Sequence, residues 1–394
     1  MNPLSDRINN LSVSQTLAMA AKARELKAQG KDIISLSLGE PDFNTPNVIK
    51  EAAKRAIDEN WSTYSPVDGY VELKQAIVNK FKRDNNLDYA LNQIVVSTGA
   101  KQSLYNIAQA MINPGDEVIL PAPYWVSYSE IVKLAGGVPV EVPTSVESDF
   151  KMTPEQLAAA VTPKTKMMWF SSPCNPSGSI YNQEELTALS EILIKNNIYV
   201  VSDEIYEHIN FTGNHCSIAS IPGMFDLTIT VNGVAKAFAM TGYRIGYIGA
   251  PEVIAKACTK LQGQVTSGAN SIAQRATITA VETDPKEFAY MTEAFKKRRD
   301  LVVGLLKDIP GFKINFPEGA FYVFPDVSDF FGKTLRGVTI NNANDFSMYI
   351  LEQANVATVT GEAFGNPNCI RLSYATSDEL LIEALRRIKE VVAF

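Results

Sequence analysis

Between residues 93 and 233, short apolar runs alternate with longer segments of helical periodicity, and this alternation restricts the possible folds more than any other feature. The runs are QIVVST (93–98), DEVILPAP (116–123), KMMWFSS (166–172), NIYVVSDE (197–204) and LTITVNG (227–233). Each is largely apolar without strict alternation, as expected of strands buried on both faces, the habit of parallel sheets. Between them, GAKQSLYNIAQAMI (99–112) and NQEELTALSEILIKNN (182–197) carry apolar residues at helical spacing. Parallel neighbours need a crossover long enough for a helix. The pattern therefore specifies an α/β fold, a mostly parallel sheet covered by helices on both faces.

The C-terminal part changes character. EFAYMTEAFKKRRDLVVGLLKDI (287–309) is one long amphipathic pattern that stops at Pro310-Gly311. GAFYVFPDV (319–327), VATVTG (356–361) and CIRLSYATS (369–377) follow, separated by helical segments, and suggest a smaller α+β unit. Near the start, TLAMAAKARELKAQG (16–30) ends on Gly30, a helix C-cap signal, and is expected to pack with that unit. The 394 residues thus divide into a large domain, 46–295, and a small domain of 1–45 with 296–394.

Composition excludes several classes. With 36 basic against 43 acidic residues and no long basic run, neither nucleic acid nor an anionic membrane is an expected partner. The four cysteines, Cys174, Cys216, Cys258 and Cys369, are far apart and show no metal-ligand spacing, so they read as free thiols of a reducing compartment. His208 and His215 are the only histidines, too few to favour a histidine metal cluster or a Ser-His-Asp triad, and His208 reads as structural. The start, MNPLSDRINNLSVSQ, lacks an apolar leader core, and no stretch approaches the roughly 18 apolar residues of a membrane span. The expected location is the cytoplasm.

In open α/β sheets, ligands bind beyond the C-terminal ends of the strands. Asp203 stands at one such end, where a carboxylate is either a cap or ion-pair partner, or a fixed anion for a heterocyclic nitrogen. Tyr206 follows three residues on. Gly99-Ala100-Lys101 opens a helix after another strand, an arrangement that suits an anion and also occurs in ordinary turns. Neither G-x-G-x-x-G nor G-x-x-x-x-G-K-[ST] is present, which disfavours a dinucleotide or a P-loop. Asn175 sits in the stiff turn SSPCNPSG (171–178), and Trp125 in PAPYWVSY (121–128) is either core or a stacking ring. Lys236 and Arg244 lie in VNGVAKAFAMTGYRIGYIGA (231–250). A fixed anion, a phosphate cup, a stacking ring and an amine together match one small compound, pyridoxal 5′-phosphate.

Nine motifs in order and spacing carry a resemblance. They are SLGEPDFNTP (37–46), TYSPVDGYVELKQAI (63–77), STGAKQSLYN (97–106), PYWVSY (123–128), SSPCNPSG (171–178), VSDEIYEHI (201–209), AKAFAMTGYRIGY (235–247), PEGAFYVF (317–324) and IRLSYATS (370–377). Nearly end to end, the chain resembles the class I, fold-type I, pyridoxal-phosphate-dependent aminotransferases, and is most similar to their bacterial aspartate-specific branch. The resemblance implies a large domain with a mostly parallel seven-stranded sheet between helices, and a smaller α+β domain. It implies ping-pong transfer of an amino group between L-aspartate and 2-oxoglutarate, with aromatic amino acids or prephenate as the alternative substrates.

By the same resemblance, Lys236 binds the cofactor and serves as base, Asp203 holds the ring nitrogen, and Asn175 and Tyr206 donate to the phenolate oxygen. Trp125 stacks on the ring, the amides of Gly99, Ala100 and Lys101 cup the phosphate, and Arg244 pairs with it. Tyr64 would reach the phosphate from a neighbouring subunit, which implies a homodimer with shared sites. Arg371 would grip the substrate α-carboxylate, helped by the backbone at Gly39, with Lys101 and Ser14 at a second carboxylate. Gly233, Cys174 and Thr360 depart from common family residues without touching the core chemistry. An aminotransferase-like effector domain of a transcription regulator is disfavoured, because the chain has no DNA-binding extension or basic face. A decarboxylase is disfavoured by Arg371, which would hold the carboxylate that has to leave.

Overall fold

The computed structural model describes residues 3–393. At its centre lies a sheet of β1 (Ile94–Ser97), β2 (Glu117–Ala122), β3 (Val138–Pro143), β4 (Thr165–Ser171), β5 (Tyr199–Asp203), β6 (Thr228–Gly233) and β7 (Gly246–Gly249). The order across the seven-stranded sheet is β1-β7-β6-β5-β4-β2-β3. β7 runs antiparallel to both neighbours, and the other pairings are parallel. The α/β class and the mostly parallel sheet are as expected.

Apolar residues alternate between two layers along the strands. Val118, Leu120, Met167, Trp169 and Val201 join one cluster, whereas Ile119, Met168, Phe170 and Val200 join another. This period of two puts helix Ala100–Met111 on one face and helix Gln183–Lys195 on the other. The second helix starts on a capping box: Asn182 Oδ1 accepts from the Glu185 N–H at 2.9 Å, and a Glu185 carboxylate oxygen accepts from the Asn182 N–H at 2.8 Å. Such a cap contributes about 1 kcal/mol.

Five strands coincide with the apolar runs; β3 and β7 escaped the sequence pattern. β3 reads VPVEVP and is the edge strand beside β2, where proline is tolerated. β7 reads GYIG. A Cβ on its Gly246 would strike the backbone at Gly99 and Ala100, and one on Gly249 would strike the Tyr89 ring. Close packing demands glycine at both ends of the strand, leaving only Tyr247 and Ile248 to mark it.

The C-terminal part gathers around helix Ala289–Lys307, whose Phe295, Val302, Val303 and Leu306 share a buried cluster with Phe321, Ile350 and Ile388. A three-stranded sheet there has Ile370–Ser373 at its centre. The N-terminal helix Gln15–Ala28 packs Ala23 and Leu26 against Leu351 and Ala357, as expected from its pattern. Ile34–Ser35 pairs in parallel with Val356–Ala357, tying the two chain ends together. Gly30 has φ +85°, the left-handed conformation that ends a helix.

Candidate active site

The C-terminal ends of β1, β2, β4, β5 and β6 deliver the candidates to one edge of the sheet. Because β7 runs the other way, its first residue lies at that same edge, and Arg244 is brought in just before it. A cavity of about 360 Å³ opens there. Ala100, Lys101, Trp125, Asn175, Asp203, Tyr206, Lys236 and Arg244 line it from the sheet side, and Ser14, Gly39 and Arg371 from the opposite side. Gly99 lies beneath the Arg244 guanidinium, so close that no Cβ would fit. Tyr64 does not line the cavity; it is 98% exposed on this chain.

Lys236 follows β6. Its ammonium donates to the Gly39 carbonyl at 2.6 Å and has no carboxylate partner among the described residues. Burial, then the neighbouring Arg371 guanidinium, pulls its pKa down to about 8. A share of neutral amine is therefore present near physiological pH.

Asp203 ends β5 and is buried. The Tyr128 hydroxyl donates to its Oδ2 at 2.7 Å, and the Ile205 N–H to Oδ1 at 3.3 Å. Burial nevertheless raises its pKa to about 6, and among the described residues no cation forms an ion pair with it.

Helix Ala100–Met111 points its N-terminus into the cavity. The Gly99 N–H is already engaged with the Ser97 carbonyl at 2.8 Å, so the donors left at the helix start are those of Ala100 and Lys101. Arg244 adopts a left-handed conformation, φ +58°, and one guanidinium nitrogen donates to the Thr241 carbonyl at 3.0 Å. N–H groups at a helix start, the positive helix end and a guanidinium together suit an anion. The Lys101 ammonium lies 4.8 Å over the Trp125 ring; burial, then Arg244, lowers its pKa.

Arg371, on the central strand of the small sheet, is 2% exposed. It donates to Asn175 Oδ1 at 3.0 Å and to the Ser37 carbonyl at 2.6 Å, between the rings of Tyr322 and Phe364 at 4.5 and 4.9 Å. Its Nε is buried without a partner, and no acidic group pairs with it among the described residues. A guanidinium held rigidly, buried and unpaired suits an incoming carboxylate.

Sequence reasoning missed Tyr128, Tyr322, Thr16 and Glu40. Tyr128 holds Asp203, and the Tyr322 hydroxyl bonds that of Tyr206 at 2.8 Å. Thr16 lines the cavity with a buried, unpartnered hydroxyl, and Glu40 lines it while bonding Thr241. Tyr128 and Tyr322 sit inside motifs read for other reasons, PYWVSY and GAFYVF, and nothing local distinguishes them from core tyrosines.

Both histidines lie away from the cavity, each beside carboxylates. His208 faces Asp84 and Glu207, and His215 faces Glu204 with Glu207 nearby. In the first grouping the fold brings Asp84 to the adjacent Glu207 and His208, whereas Glu204, Glu207 and His215 of the second come from one stretch of chain. Lys80 already supplies a cation, as its ammonium pairs with Glu207.

Known proteins share this architecture. The sequence profile of the family Aminotransferase class I and II matches residues 31–388. An aspartate/prephenate aminotransferase of Cereibacter sphaeroides is 50% identical, the match covering 99% of this chain and 98% of that protein. An aspartate aminotransferase of Bacillus subtilis is 46% identical over 99% of this chain and 98% of its own. The crystal structure of the aspartate aminotransferase from Rhizobium meliloti superposes with a TM-score of 0.96 at 44% identity, covering 99% of each chain. That of the Thermus thermophilus aspartate aminotransferase with maleate gives 0.94 at 42% identity, covering all of both. With a profile match over most of its length and relatives near half identical, the chain belongs to the class I and II aminotransferases.

Proposed function

We propose that this protein is an aspartate aminotransferase using pyridoxal 5′-phosphate, passing an amino group between L-aspartate and 2-oxoglutarate to give oxaloacetate and L-glutamate. One observation carries the reading: a half-buried amine of lowered pKa, a buried carboxylate and a buried guanidinium, none of them ion-paired among the described residues, line the same cavity. The Thermus relative's structure, described with maleate, a dicarboxylate, supports a two-carboxylate substrate.

The residues present suit the cofactor. A protonated ring nitrogen would restore the charge of Asp203, whose pKa burial has raised. The helix-start N–H groups and Arg244 suit its phosphate, and Trp125 offers a stacking face. Asn175 accepts from Arg371 through Oδ1, which leaves its Nδ2 to donate, with Tyr206, to a phenolate oxygen. Pyridoxal 5′-phosphate supplies, when bound, an aldehyde that condenses with amines and a ring that draws electrons from the substrate α-carbon.

Lys236 Nζ would hold the cofactor and, once freed by the substrate amine, would serve as the neutral base for the α-proton. Arg371 grips the α-carboxylate and so keeps it attached. Lys101 and Ser14 face the second carboxylate, and the backbone at Gly39 orients Lys236 through its carbonyl. The first keto acid leaves before the second enters, the ping-pong order. The exposed Tyr64 is assigned to the phosphate of a second subunit's site in a cytoplasmic homodimer. Residues 46–295 are assigned to the large domain, which holds two buried clusters of its own, and 1–45 with 296–394 to the small one, of which 1, 2 and 394 lie outside the described residues; the small domain's main cluster also takes in Tyr206, Ile209 and Phe295. Prephenate is kept as a second amino acceptor because the Cereibacter relative bears both names.

Visible absorbance tests the reading. L-Aspartate alone should abolish the band of the bound cofactor, and 2-oxoglutarate should restore it. A band indifferent to aspartate but sensitive to another amino acid would discard the substrate and keep the chemistry. Prephenate restoring the band would add the second acceptor.

A further inference from the structure

Tyr128 opens a role that the motifs did not assign. It is almost fully buried on helix Ser127–Leu134, and its hydroxyl donates to Asp203 Oδ2 at 2.7 Å. Its ring also meets Trp125 edge-on, centroids 5.7 Å apart and planes at 85°, with Trp169 behind it at 5.9 Å and 82°. One side chain therefore touches both the carboxylate and the stacking ring of the same cavity.

We propose that Tyr128 is a positioning residue that keeps Asp203 ionised and aimed for a ring nitrogen while its ring edge sets the plane of Trp125. The inference rests on the cofactor reading above. A phenol can only donate to a carboxylate that is charged or that presents an unprotonated oxygen, so the bond favours the anion. Among the described residues, the Asp203 carboxylate otherwise accepts only the long bond from the Ile205 N–H at 3.3 Å. Burial, then the Asp203 charge, drives the Tyr128 pKa well above its ordinary value, so this hydroxyl stays a donor throughout the working pH range. Burial raises the Asp203 pKa while the Tyr128 bond opposes that rise. Without the bond, Asp203 would take up a proton more readily and lose the charge that a pyridinium needs.

Two variants and two ligands separate this role from mere packing. Tyr128→Phe removes the hydroxyl and keeps the ring, whereas Tyr128→Leu removes both. Each protein, stripped of cofactor and checked for folding by circular dichroism, is titrated with pyridoxal 5′-phosphate and with its analogue carrying carbon in place of the ring nitrogen. A hydrogen bond to a charged group lost from Tyr128→Phe should weaken pyridoxal 5′-phosphate binding about tenfold or more. The carbon analogue, with no nitrogen for Asp203 to meet, should bind Tyr128→Phe as it binds wild type. Tyr128→Leu should weaken both ligands, since the Trp125 plane is also released. Equal weakening of both ligands in Tyr128→Phe, or no weakening of either, overturns the assignment. Failure of the wild type to bind pyridoxal 5′-phosphate would instead overturn the cofactor reading, and this inference with it.

Discussion

Two buried charged regions meet at the end of β5 and are built on opposite plans. On one side Asp203 and Tyr206 face the cavity with Lys236 and Arg371. On the other, Glu204 and Glu207 join Lys80 and His215. Glu204 accepts from Ser202 at 2.9 Å and Ser217 at 2.6 Å, and faces His215 Nε2 at 2.8 Å. Glu207 pairs with Lys80, and Asn85 and Asn232 donate to it at 2.7 and 2.8 Å. Lys80, 1% exposed, also donates to Asn85 at 2.8 Å. Here each charge meets its opposite and the carboxylates are fully bonded, although His215 Nδ1 is buried without a partner. In the cavity, Lys236, Arg371 and Asp203 are wholly or partly desolvated with no ion-pair partner among the described residues. Buried charge that is satisfied holds a fold together, whereas buried charge left unmatched is held ready for a ligand.

The largest expected effect comes from the cavity side. Lys236→Ala should lower kcat by about a thousandfold or more, the loss of a general base and of cofactor attachment together. Single-turnover absorbance with aspartate measures it; near wild-type turnover would remove Lys236 from the mechanism. Its stability should respond differently. The folded pKa of about 8 lies below the ordinary 10.5, so between those values the unfolded chain holds the extra proton. Wild-type apoprotein should therefore gain stability with rising pH across that window, and Lys236→Ala should lack the gain.

Breaking the satisfied side should reverse the pattern. Lys80→Met strands Glu207 as a buried anion and should cost about 3–5 kcal/mol in urea unfolding, with kcat per folded molecule unchanged. Arg371→Met removes no ion pair but leaves the buried Asn175 Oδ1 and Ser37 carbonyl without that donor, so it should cost less, about 1–3 kcal/mol. Its KM for every amino acid should rise on the order of a hundredfold. If Arg371→Met were the less stable of the two, the contrast between the regions would collapse.

Smaller effects sharpen the picture. Lys101→Ser should raise KM for aspartate about tenfold more than for phenylalanine, since only one substrate offers a distal carboxylate. Equal losses would take Lys101 out of side-chain recognition. The smallest effect is a pH dependence at His215. Burial pulls its pKa down, but the facing Glu204 carboxylate, with Glu207 behind it and Lys80 opposing, leaves it raised. A raised histidine stabilises fully below its unfolded pKa of about 6.5, and that contribution fades as pH climbs through the folded value. The Tm gap between wild type and His215→Gln should thus narrow with rising pH; a widening gap would show that His215 is folded in its neutral form.

Much of this fold was legible in advance because burial on both faces writes a continuous apolar run, as in β2, β4 and β5. β7 was not, because contacts with Tyr89 and Ala100 demanded glycine where a strand would show valine. The cavity was partly legible for a related reason. Asp203, Asn175, Trp125 and Gly99 stand at strand ends, and strand ends in a parallel sheet point to one edge. Arg371, Gly39 and Ser14 have no such rule, and only the resemblance proposed them.

What the sequence by itself determined is the alternation of strand and helix, and with it the class of fold and the edge where chemistry collects. Those are consequences of local periodicity and of which residues avoid water. Which charges are matched was decided only by the tertiary structure. Asp203 and Glu204 are neighbours in sequence, yet one faces Tyr128 across the cavity and the other His215 behind it. Their partners come from segments 75 and 11 residues away, brought in by packing, and no reading of composition or spacing contains that information.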